Sequence, residues 1–248
     1  MLNWPWLDPK TPDMTFSPDA IFFDLDGTLI DSAPDLTRAI DQMLDELGFP
    51  AAGMDKVSTW VGNGAQKLIE RALRDAGLKP GEIESIYSQA RAFFDRFYSS
   101  CCDQAAGLYP GAEELLRFCN DQSIPLALIT NKPEQFTYQI LDSLSLKDCF
   151  NVIIGGDSLS EKKPSALPLQ YASDALKVSI ESCWMIGDSN SDISAAKTAG
   201  CYSVGVSYGY NHGRPISDEN PDWLCDSLKQ LQQRLVNLYS QPSDLRAN

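Results

Sequence analysis

The sequence predicts an α/β protein: a doubly wound, Rossmann-like parallel sheet with a helical cap domain inserted after the first strand. From residue 107 onward, short apolar segments alternate with helical patterns of 10–15 residues, which is typical of parallel strands joined by crossover helices. Between the first apolar segment and that point, the chain shows helical periodicity alone. A helical insertion within an α/β pattern predicts a separate lobe, and 248 residues suffice for a main core and a smaller one.

These patterns divide the chain into four parts. The predicted α/β core domain comprises residues 19–31 and 105–240, and the helical cap domain comprises residues 32–104. Residues 1–18 hold four of the fifteen prolines and show no periodicity, so we expect an irregular N-terminal arm. Residues 241–248 are expected to form a frayed tail.

The first strand is predicted at Ile21–Phe23, where β-branched and aromatic residues form a short apolar run. Two carboxylates follow directly, Asp24 and Asp26, and Gly27 then permits a tight turn. A strand that runs into an ordinary Asp-Gly turn is one interpretation of this pattern. The other is a cation site, because two neighbouring carboxylates repel each other and Mg²⁺ prefers oxygen ligands.

Three helical patterns follow in the predicted cap. They run from Leu36 to Leu47, from Leu68 to Leu73 and from Ile83 to Phe97, with apolar residues at helical spacing. Residues 50–53 are expected to be a loop. Small residues before the second pattern, in the segment W-V-G-N-G at residues 60–64, favour a helix start that exposes backbone N–H groups to an anion.

The later strands and helices alternate along the predicted core. Strands are expected at Pro125–Thr130, Val152–Ile154, Cys183–Gly187, Tyr202–Val206 and Trp223–Cys225. Helices are expected from Pro110 to Phe118, up to about Leu144, from Pro164 to Val178, from Ser189 to Ala199 and from Ser227 to Leu238.

Polar side chains lie where several of these strands end, which is where this architecture places ligands. Thr130 and Asn131 end one strand, Asp188 ends another, and Lys163 follows a Gly-Gly-Asp loop. Each also has an ordinary interpretation, as a turn residue, a helix cap or a solvated lysine. Asp192 lies about one helical turn beyond Asp188, in position to orient the waters of a metal at that strand end.

Taken in order, the segments D-L-D-G-T-L-I-D-S, L-I-T-N, K-K-P and G-D-S-N-S-D resemble the motifs of the haloacid dehalogenase superfamily of phosphotransferases, over about residues 20–238. The resemblance implies an aspartyl-phosphate mechanism in which Asp24 is the nucleophile, Asp26 the general acid and base, and Lys163 a catalytic counter-charge. One departure is Ala166, where relatives often carry a middle proline; it affects the stiffness of the loop and leaves its charge unchanged.

The same resemblance implies a Mg²⁺ cofactor and a small anionic phosphomonoester as substrate. The metal ligands would be Asp24, Asp188 and Asp26, the last through its backbone carbonyl, as is usual in that superfamily. Thr130 and Asn131 would bind the phosphate.

The cap segment is similar to the W-x-G-N-G segment of bacterial phosphoglycolate phosphatases. It implies 2-phosphoglycolate as substrate, its carboxylate bound by Gly62, Asn63 and Gly64, with Arg71 or Lys67 as counter-charge.

Alternatives share these motifs. They are a sugar-phosphate phosphatase, such as one acting on N-acetylmuramic acid 6-phosphate, a mutase like β-phosphoglucomutase, and a phosphonatase, which would need Lys56 or Lys67 as a Schiff base. A binding or regulatory module of the same fold has no need for the repelling Asp24–Asp26 pair. His212, the single histidine, is expected in a loop without a catalytic role.

The composition of the chain disfavours several classes of binding partner. A formal net charge of −14 disfavours nucleic acid, since no basic patch is available to neutralise phosphates. No segment is apolar over the roughly 20 residues needed to span a membrane, and the N-terminus does not resemble a secretory signal. Seven cysteines without a C-x-x-C motif are expected to be free thiols in the cytoplasm, and together with a single histidine they make a zinc site improbable. A monomer and a homodimer remain equally compatible with the sequence.

Overall fold

A computed structural model describes residues 16–240 of the protein. Its strands are β1 (Ala20–Phe23), β2 (Ile30–Asp31), β3 (Gly107–Leu108), β4 (Leu126–Ile129), β5 (Val152–Ile154), β6 (Cys183–Gly187), β7 (Tyr202–Val206) and β8 (Trp223–Cys225). Its helices are α1 (Ala33–Glu46), α2 (Met54–Val57), α3 (Ala65–Asp75), α4 (Pro80–Ser99), α5 (Ala112–Asp121), α6 (Glu134–Ser143), α7 (Leu167–Leu176), α8 (Asn190–Ala199) and α9 (Leu228–Tyr239). Short 3₁₀ turns lie at Ser58–Trp60, Lys147–Cys149, Ile180–Ser182, Asn211–Gly213 and Ile216–Glu219.

Six strands form one parallel sheet in the order β5-β4-β1-β6-β7-β8, with β1 near its centre. The predicted doubly wound α/β fold is therefore confirmed. Because all six strands run the same way, their carboxyl ends meet at one edge of the sheet, on either side of the point where the strand order reverses. The residues that follow β1, β4 and β6 consequently lie side by side.

Strand β1 is buried on both faces, and its alternate side chains enter different cores. Ile21 and Phe23 pack in a large apolar cluster that continues into the helices between residues 33 and 99. Ala20 and Phe22 face a smaller cluster, where Leu169 of α7 lies on the opposite side of the sheet. This alternation follows from the two-residue period of a strand, and it explains why β1 reads as a continuous apolar run.

Strands β2 and β3 form a separate antiparallel pair that the sequence did not reveal. Ile30 pairs with Leu108, and Asp31 with Gly107, at the points where the chain leaves and re-enters the sheet region. A two-residue strand carries too few side chains to show periodicity. The division of the chain into core and cap stays a prediction, although the helices α1 to α4 lie between these two crossing points as that division expects.

Other differences concern element ends. The helix expected from Pro164 begins at Leu167, and residues 54–60 form α2 and a 3₁₀ turn that were not predicted. Of the predicted arm, only residues 16–18 are described, and there Phe16 packs edge-on against Trp184 with ring centroids 6.1 Å apart. The remaining arm and the predicted tail lie outside the described residues. Within residues 16–240, no helix is both long and apolar enough to cross a membrane.

Gly187, at the end of β6, tests how closely the sheet edge is packed. A Cβ added there would lie 2.2 Å from the Cβ of Asp192, which is far inside van der Waals contact. We therefore expect Gly187→Ala to lower the free energy of unfolding by about 1–3 kcal/mol through overpacking. At Gly107, an added Cβ meets no atom within 4 Å, so Gly107→Ala serves as the control and should change stability by less than about 0.5 kcal/mol. Urea denaturation of both variants checks this, and equal stability would contradict the described packing.

Candidate active site

The polar residues predicted at strand ends are gathered at one edge of the sheet. Asp24 directly follows β1, Thr130 and Asn131 follow β4, and Asp188 follows β6. Lys163 reaches the same place from the loop before α7, and all five residues are buried. The ladder continues into the site, since the Asp24 amide donates a hydrogen bond of 2.9 Å to the carbonyl of Ile186.

Three carboxylates form the centre of this group. One oxygen each from Asp24, Asp188 and Asp192 lies within 4.8 Å of the others, and all three residues are buried. Burial raises the pKa of Asp24 to about 7, with Asp192 adding to the effect and Lys163 opposing it. Burial likewise raises the pKa of Asp188, and the charges of Asp192 and Asp24 raise it further. Each carboxylate therefore ionises at the expense of the others.

Lys163 is the cation that offsets the negative charge of this group. Its Nζ lies 2.9 Å from Asp24 Oδ1 and 2.6 Å from Asp192 Oδ1, and it also donates to the backbone carbonyl of Ile129. Burial lowers the pKa of the amine, but the two carboxylates outweigh burial and raise it overall. Lys163 is thus held as a charged ammonium against both the predicted nucleophile and the start of α8.

The remaining carboxylate oxygens are fixed by hydrogen bonds. Asp188 accepts from Thr28 Oγ1 at 3.2 Å and from the Tyr210 amide at 2.7 Å. Asp192 closes the start of α8, because its Oδ2 accepts from the amide and hydroxyl of Ser189. Asp192 was predicted to orient metal waters. The structure places it in direct contact with Lys163, and its carboxylate lies among the oxygens that a cation could reach.

The donor set fits a hard divalent cation. The three carboxylates present several oxygens within one coordination sphere. Among the described residues, Lys163 is the cation that forms ion pairs with this group, and it offsets part of the repulsion between the carboxylates. Asp24 Oδ1 is buried and makes no hydrogen bond of good geometry within residues 16–240. Oxygen-rich, anionic sites of this kind suit Mg²⁺ rather than softer metals.

Asp26 points away from the three carboxylates, toward the helical side of the site. Its Oδ1 lies 2.7 Å from Nζ of Lys132, whose side chain is 2% exposed. The same amine donates to the hydroxyl of Tyr98 in α4 at 2.6 Å. Sequence reasoning missed both residues, since a lysine in the turn after a strand normally lies in solvent and only tertiary packing brings α4 over it.

Asn131 connects the strand edge with the helical region. Its Nδ2 donates to the carbonyl of Gly62 at 3.1 Å and to that of Lys163 at 3.0 Å. Thr130 Oγ1 accepts from the Lys132 amide at 3.2 Å. The side chain of Asn131 is therefore used in tying two loops together.

The Gly62–Gly64 segment lies directly on the strand edge. Both glycines adopt positive φ angles of 114° and 83°, and α3 begins immediately afterwards, as predicted. Asn63 donates to Ser191 Oγ at 3.0 Å, and its carbonyl accepts from Lys162 Nζ at 3.1 Å. At Gly64, an added Cβ would lie 2.8 Å from the carbonyl oxygen of Asn131. A side chain at this position would push the two regions apart.

The cations that the sequence offers as candidates in the cap each have partners in the structure. Arg71 donates to the Trp60 carbonyl at 2.5 Å and to Asn63 Oδ1 at 2.6 Å, so it shapes the loop that precedes its own helix. Lys67 pairs with Glu70 and is 55% exposed. Lys56 pairs with Asp75 and is also exposed, so neither lysine is desolvated as a Schiff base requires.

His212 lies in the predicted loop, where its Nδ1 is 3.2 Å from the carbonyl of Thr59. This contact places it beside the 3₁₀ turn at Ser58–Trp60, and its ring makes no hydrogen bond to the three carboxylates.

A cavity of about 30 Å³ lies between the strand edge and the helices. Its floor is formed by Asp24, Asp26, Thr130, Asn131 and Lys132. The residues that line the rest of it are Leu36, Val61, Gly62, Gly64, Ala65, Leu68, Phe94, Tyr98, Pro133 and Phe136. Arg71 and Lys67 are absent from this lining.

Comparison with known proteins agrees with this geometry. The family model described as haloacid dehalogenase-like hydrolase matches residues 21–206, three quarters of the chain. The chain belongs to this family. A phosphoglycolate phosphatase of Pseudomonas putida is 45% identical over 215 residues, covering 86% of this chain and 78% of the relative. Another, from Nitrosococcus oceani, is 42% identical over 228 residues, covering 92% and 99%.

A solved structure of the family gives the same picture. The crystal structure of a "predicted phosphoglycolate phosphatase" from Haemophilus somnus superposes with a TM-score of 0.82 at 34% identity, over 90% of this chain and 99% of that one. The predictions of a haloacid dehalogenase-like fold and of a phosphatase-type enzyme are thereby confirmed. Substrate, metal and residue roles are taken up below.

Lys163 provides a direct test of the described electrostatics. Lys163→Met leaves three buried carboxylates without their cation, so in a chelating buffer the free energy of unfolding should fall by about 3 kcal/mol. Lys162 is the matched control, because it is the adjacent lysine and donates only to a backbone carbonyl. Lys162→Met should cost less than about 1 kcal/mol. Chemical denaturation of both variants in about 1 mM chelator, which removes divalent cations, measures the two losses of unfolding free energy. Equal losses would contradict the ion-pair network.

Proposed function

We propose that the protein is a Mg²⁺-dependent phosphomonoesterase that hydrolyses 2-phosphoglycolate to glycolate and phosphate through an aspartyl-phosphate. The observation that carries the proposal is the buried group of Asp24, Asp188 and Asp192, balanced by Lys163, in which Asp24 also lines the cavity between the strand edge and the helices. The names of the relatives support the choice of substrate.

Mg²⁺ would be held by the side chains of Asp24 and Asp188 and by the backbone carbonyl of Asp26, with Asp192 nearby to orient its waters. When bound, the ion supplies positive charge that lets a phosphate dianion approach the carboxylates. Lys163 contributes a second positive charge, which lowers the pKa of Asp24 against the effect of burial and so favours its ionised, nucleophilic form.

The chain's own residues then account for both chemical steps. A carboxylate oxygen of Asp24 forms a bond to phosphorus as the ester oxygen departs, and Asp26 transfers a proton to that oxygen. In the second step Asp26 takes a proton from water, which attacks phosphorus and releases phosphate from Asp24. Asp26 suits this work because its side chain faces the cavity and Lys132, away from the other carboxylates.

Phosphate oxygens would be received by the Thr130 hydroxyl and by the backbone N–H of Asn131. Since Asn131 Nδ2 already bonds two carbonyls, its side chain acts mainly by fixing the loop. Gly62, Asn63 and Gly64 form the upper wall of the site, and Arg71 supports them through Asn63. We propose that the helices α1 to α4 serve as the cap that encloses the substrate.

The size of the cavity favours a short substrate. A volume of about 30 Å³ holds about one or two waters, so any substrate must displace part of the lining, and a two-carbon acid needs less displacement than a sugar phosphate. We further propose that the enzyme works in the cytoplasm on this small metabolite.

The substrate assignment is tested by kcat/KM with Mg²⁺ for 2-phosphoglycolate, for sugar 6-phosphates including an N-acetylated amino sugar, and for β-glucose 1-phosphate. We expect a preference of at least 100-fold for 2-phosphoglycolate, which corresponds to about 2.7 kcal/mol of transition-state discrimination. A preference for a sugar phosphate would overturn the substrate. No turnover of any ester would favour a binding module of the same fold.

The nucleophile is tested with Asp24→Asn, which keeps the shape of the side chain and removes its charge. We expect kcat to fall by at least about 10⁴-fold, because the amide cannot form the aspartyl-phosphate. Asp174→Asn, at an exposed position of α7, is the matched control. Circular dichroism should show all three proteins folded. A folded Asp24→Asn variant with near-normal kcat would remove Asp24 from the mechanism.

A further inference from the structure

Lys132 is the feature of the cavity that the proposed mechanism leaves partly unused. Among the described residues that line the cavity, it carries the single positive charge, and the wall beyond it is apolar. In the proposed mechanism, the phosphate end of a substrate already has Lys163 and Thr130. Lys132 lies on the floor of the same cavity and its charge is paired with Asp26, so any N–H donor that this pairing does not use is available to a second anionic group on the substrate.

The described hydrogen bonds of Lys132 use two of the three N–H donors of its ammonium group. An ammonium group has three N–H donors; one points to Asp26 Oδ1 at 2.7 Å and one to Tyr98 at 2.6 Å. Within residues 16–240, no further hydrogen bond or ion pair of this amine is present. A buried donor without a partner is costly, and Lys132 is one of the residues that line the cavity.

Tyr98 shows that the amine is positioned from the helical side. It is a residue of α4, is buried, and stacks on Phe94 and edge-on against Phe136. These aromatic contacts fix the hydroxyl, and the hydroxyl in turn holds the lysine over the cavity. Such a constrained ammonium is suited to selecting one anion at one distance.

We propose that Lys132 binds the carboxylate of a short phosphorylated acid and is the residue that selects such a substrate over uncharged phosphate esters. The inference rests on the proposed function above and assigns the carboxylate to a core residue, in place of the cap segment and Arg71.

The geometry sets the length of that acid. Asp26 must reach the ester oxygen to protonate it, and Lys132 contacts the same Asp26 carboxylate. The Lys132 amine and the ester oxygen would therefore both lie next to the Asp26 carboxylate. In 2-phosphoglycolate a single methylene separates the ester oxygen from the carboxylate carbon, which brings the two charges together. A longer acid would carry its carboxylate past Lys132, against Leu68 and Phe94.

The other cations near the cavity have partners that keep them out of it. Arg71 is bonded to Trp60 and Asn63, Lys67 to Glu70, and Lys162 to the Asn63 carbonyl. None of the three lines the cavity.

The test compares two esters that differ only at the group Lys132 would bind. These are 2-phosphoglycolate and 2-hydroxyethyl phosphate, in which a hydroxymethyl group replaces the carboxylate. Lys132→Met removes the charge and keeps an unbranched chain. In the presence of Mg²⁺, we expect kcat/KM for 2-phosphoglycolate to fall about 100-fold more than kcat/KM for 2-hydroxyethyl phosphate, mainly through KM. The control Lys147→Met, at an exposed lysine on a 3₁₀ turn, should leave both values unchanged.

Each result has one meaning. An equal loss on both esters would overturn the inference, since Lys132 would then act only by positioning Asp26. Retention of the wild-type preference by Lys132→Met would overturn it too, while leaving the proposed function intact. If the wild-type enzyme itself shows no preference for 2-phosphoglycolate, the proposed function fails first, and the inference with it.

A binding measurement gives the same answer without turnover. In an Asp24→Asn background, calorimetry should show that Lys132→Met weakens 2-phosphoglycolate at least tenfold while leaving the Kd of inorganic phosphate unchanged. If Lys132→Met does not fold, Lys132→Gln, which keeps a hydrogen-bond donor, takes its place with the same expected direction. Unchanged affinity for 2-phosphoglycolate would contradict the proposal.

Discussion

The structure depends on one unfavourable arrangement, the burial of several carboxylates at a single sheet edge. Asp24 and Asp188 follow neighbouring strands, and Asp192 joins them from the start of α8. Burying charges of one sign is costly unless they are paired. Lys163 supplies one pairing from beneath the carboxylates, and a divalent cation would supply the other. The sheet can hold this cluster because its strands are fixed on both faces by apolar packing.

The helical region completes the site by closing over the same edge. Asn131 bonds the Gly62 carbonyl, and Asn63 bonds Ser191 and Lys162, so a loop next to α3 is anchored directly to the strand ends. Glycine is needed at position 64 because the Asn131 backbone leaves no room for a Cβ. The result is a partly buried space in which electrostatic interactions are stronger than in bulk water. In the proposed account, the residue that attacks phosphorus and the residue that selects the substrate, Asp24 and Lys132, both line this cavity.

Much of this was predictable from the sequence, for reasons that differ by element. A buried parallel strand shows itself in a few consecutive residues, as an apolar run followed by polar residues. For this reason β1 and the residues at its end, Asp24 and Asp26, could be identified without a structure. Lys132 and Tyr98 could not, because their meeting depends on how α4 packs, 34 residues away in the chain. The hydrogen bonds of Arg71 to Trp60 and Asn63 could not be predicted either, because they depend on how the loop before α3 folds back over its own helix.

The most direct test of the central claim is the stability of the protein as Mg²⁺ is added. If the buried carboxylates form a cation site, Mg²⁺ at 100 times its Kd should raise the free energy of unfolding by about 2.7 kcal/mol. Asp188→Asn removes one of the carboxylates from the cluster and should abolish most of that gain. An unfolding curve that does not move with Mg²⁺, or moves equally in Asp188→Asn, would contradict the account.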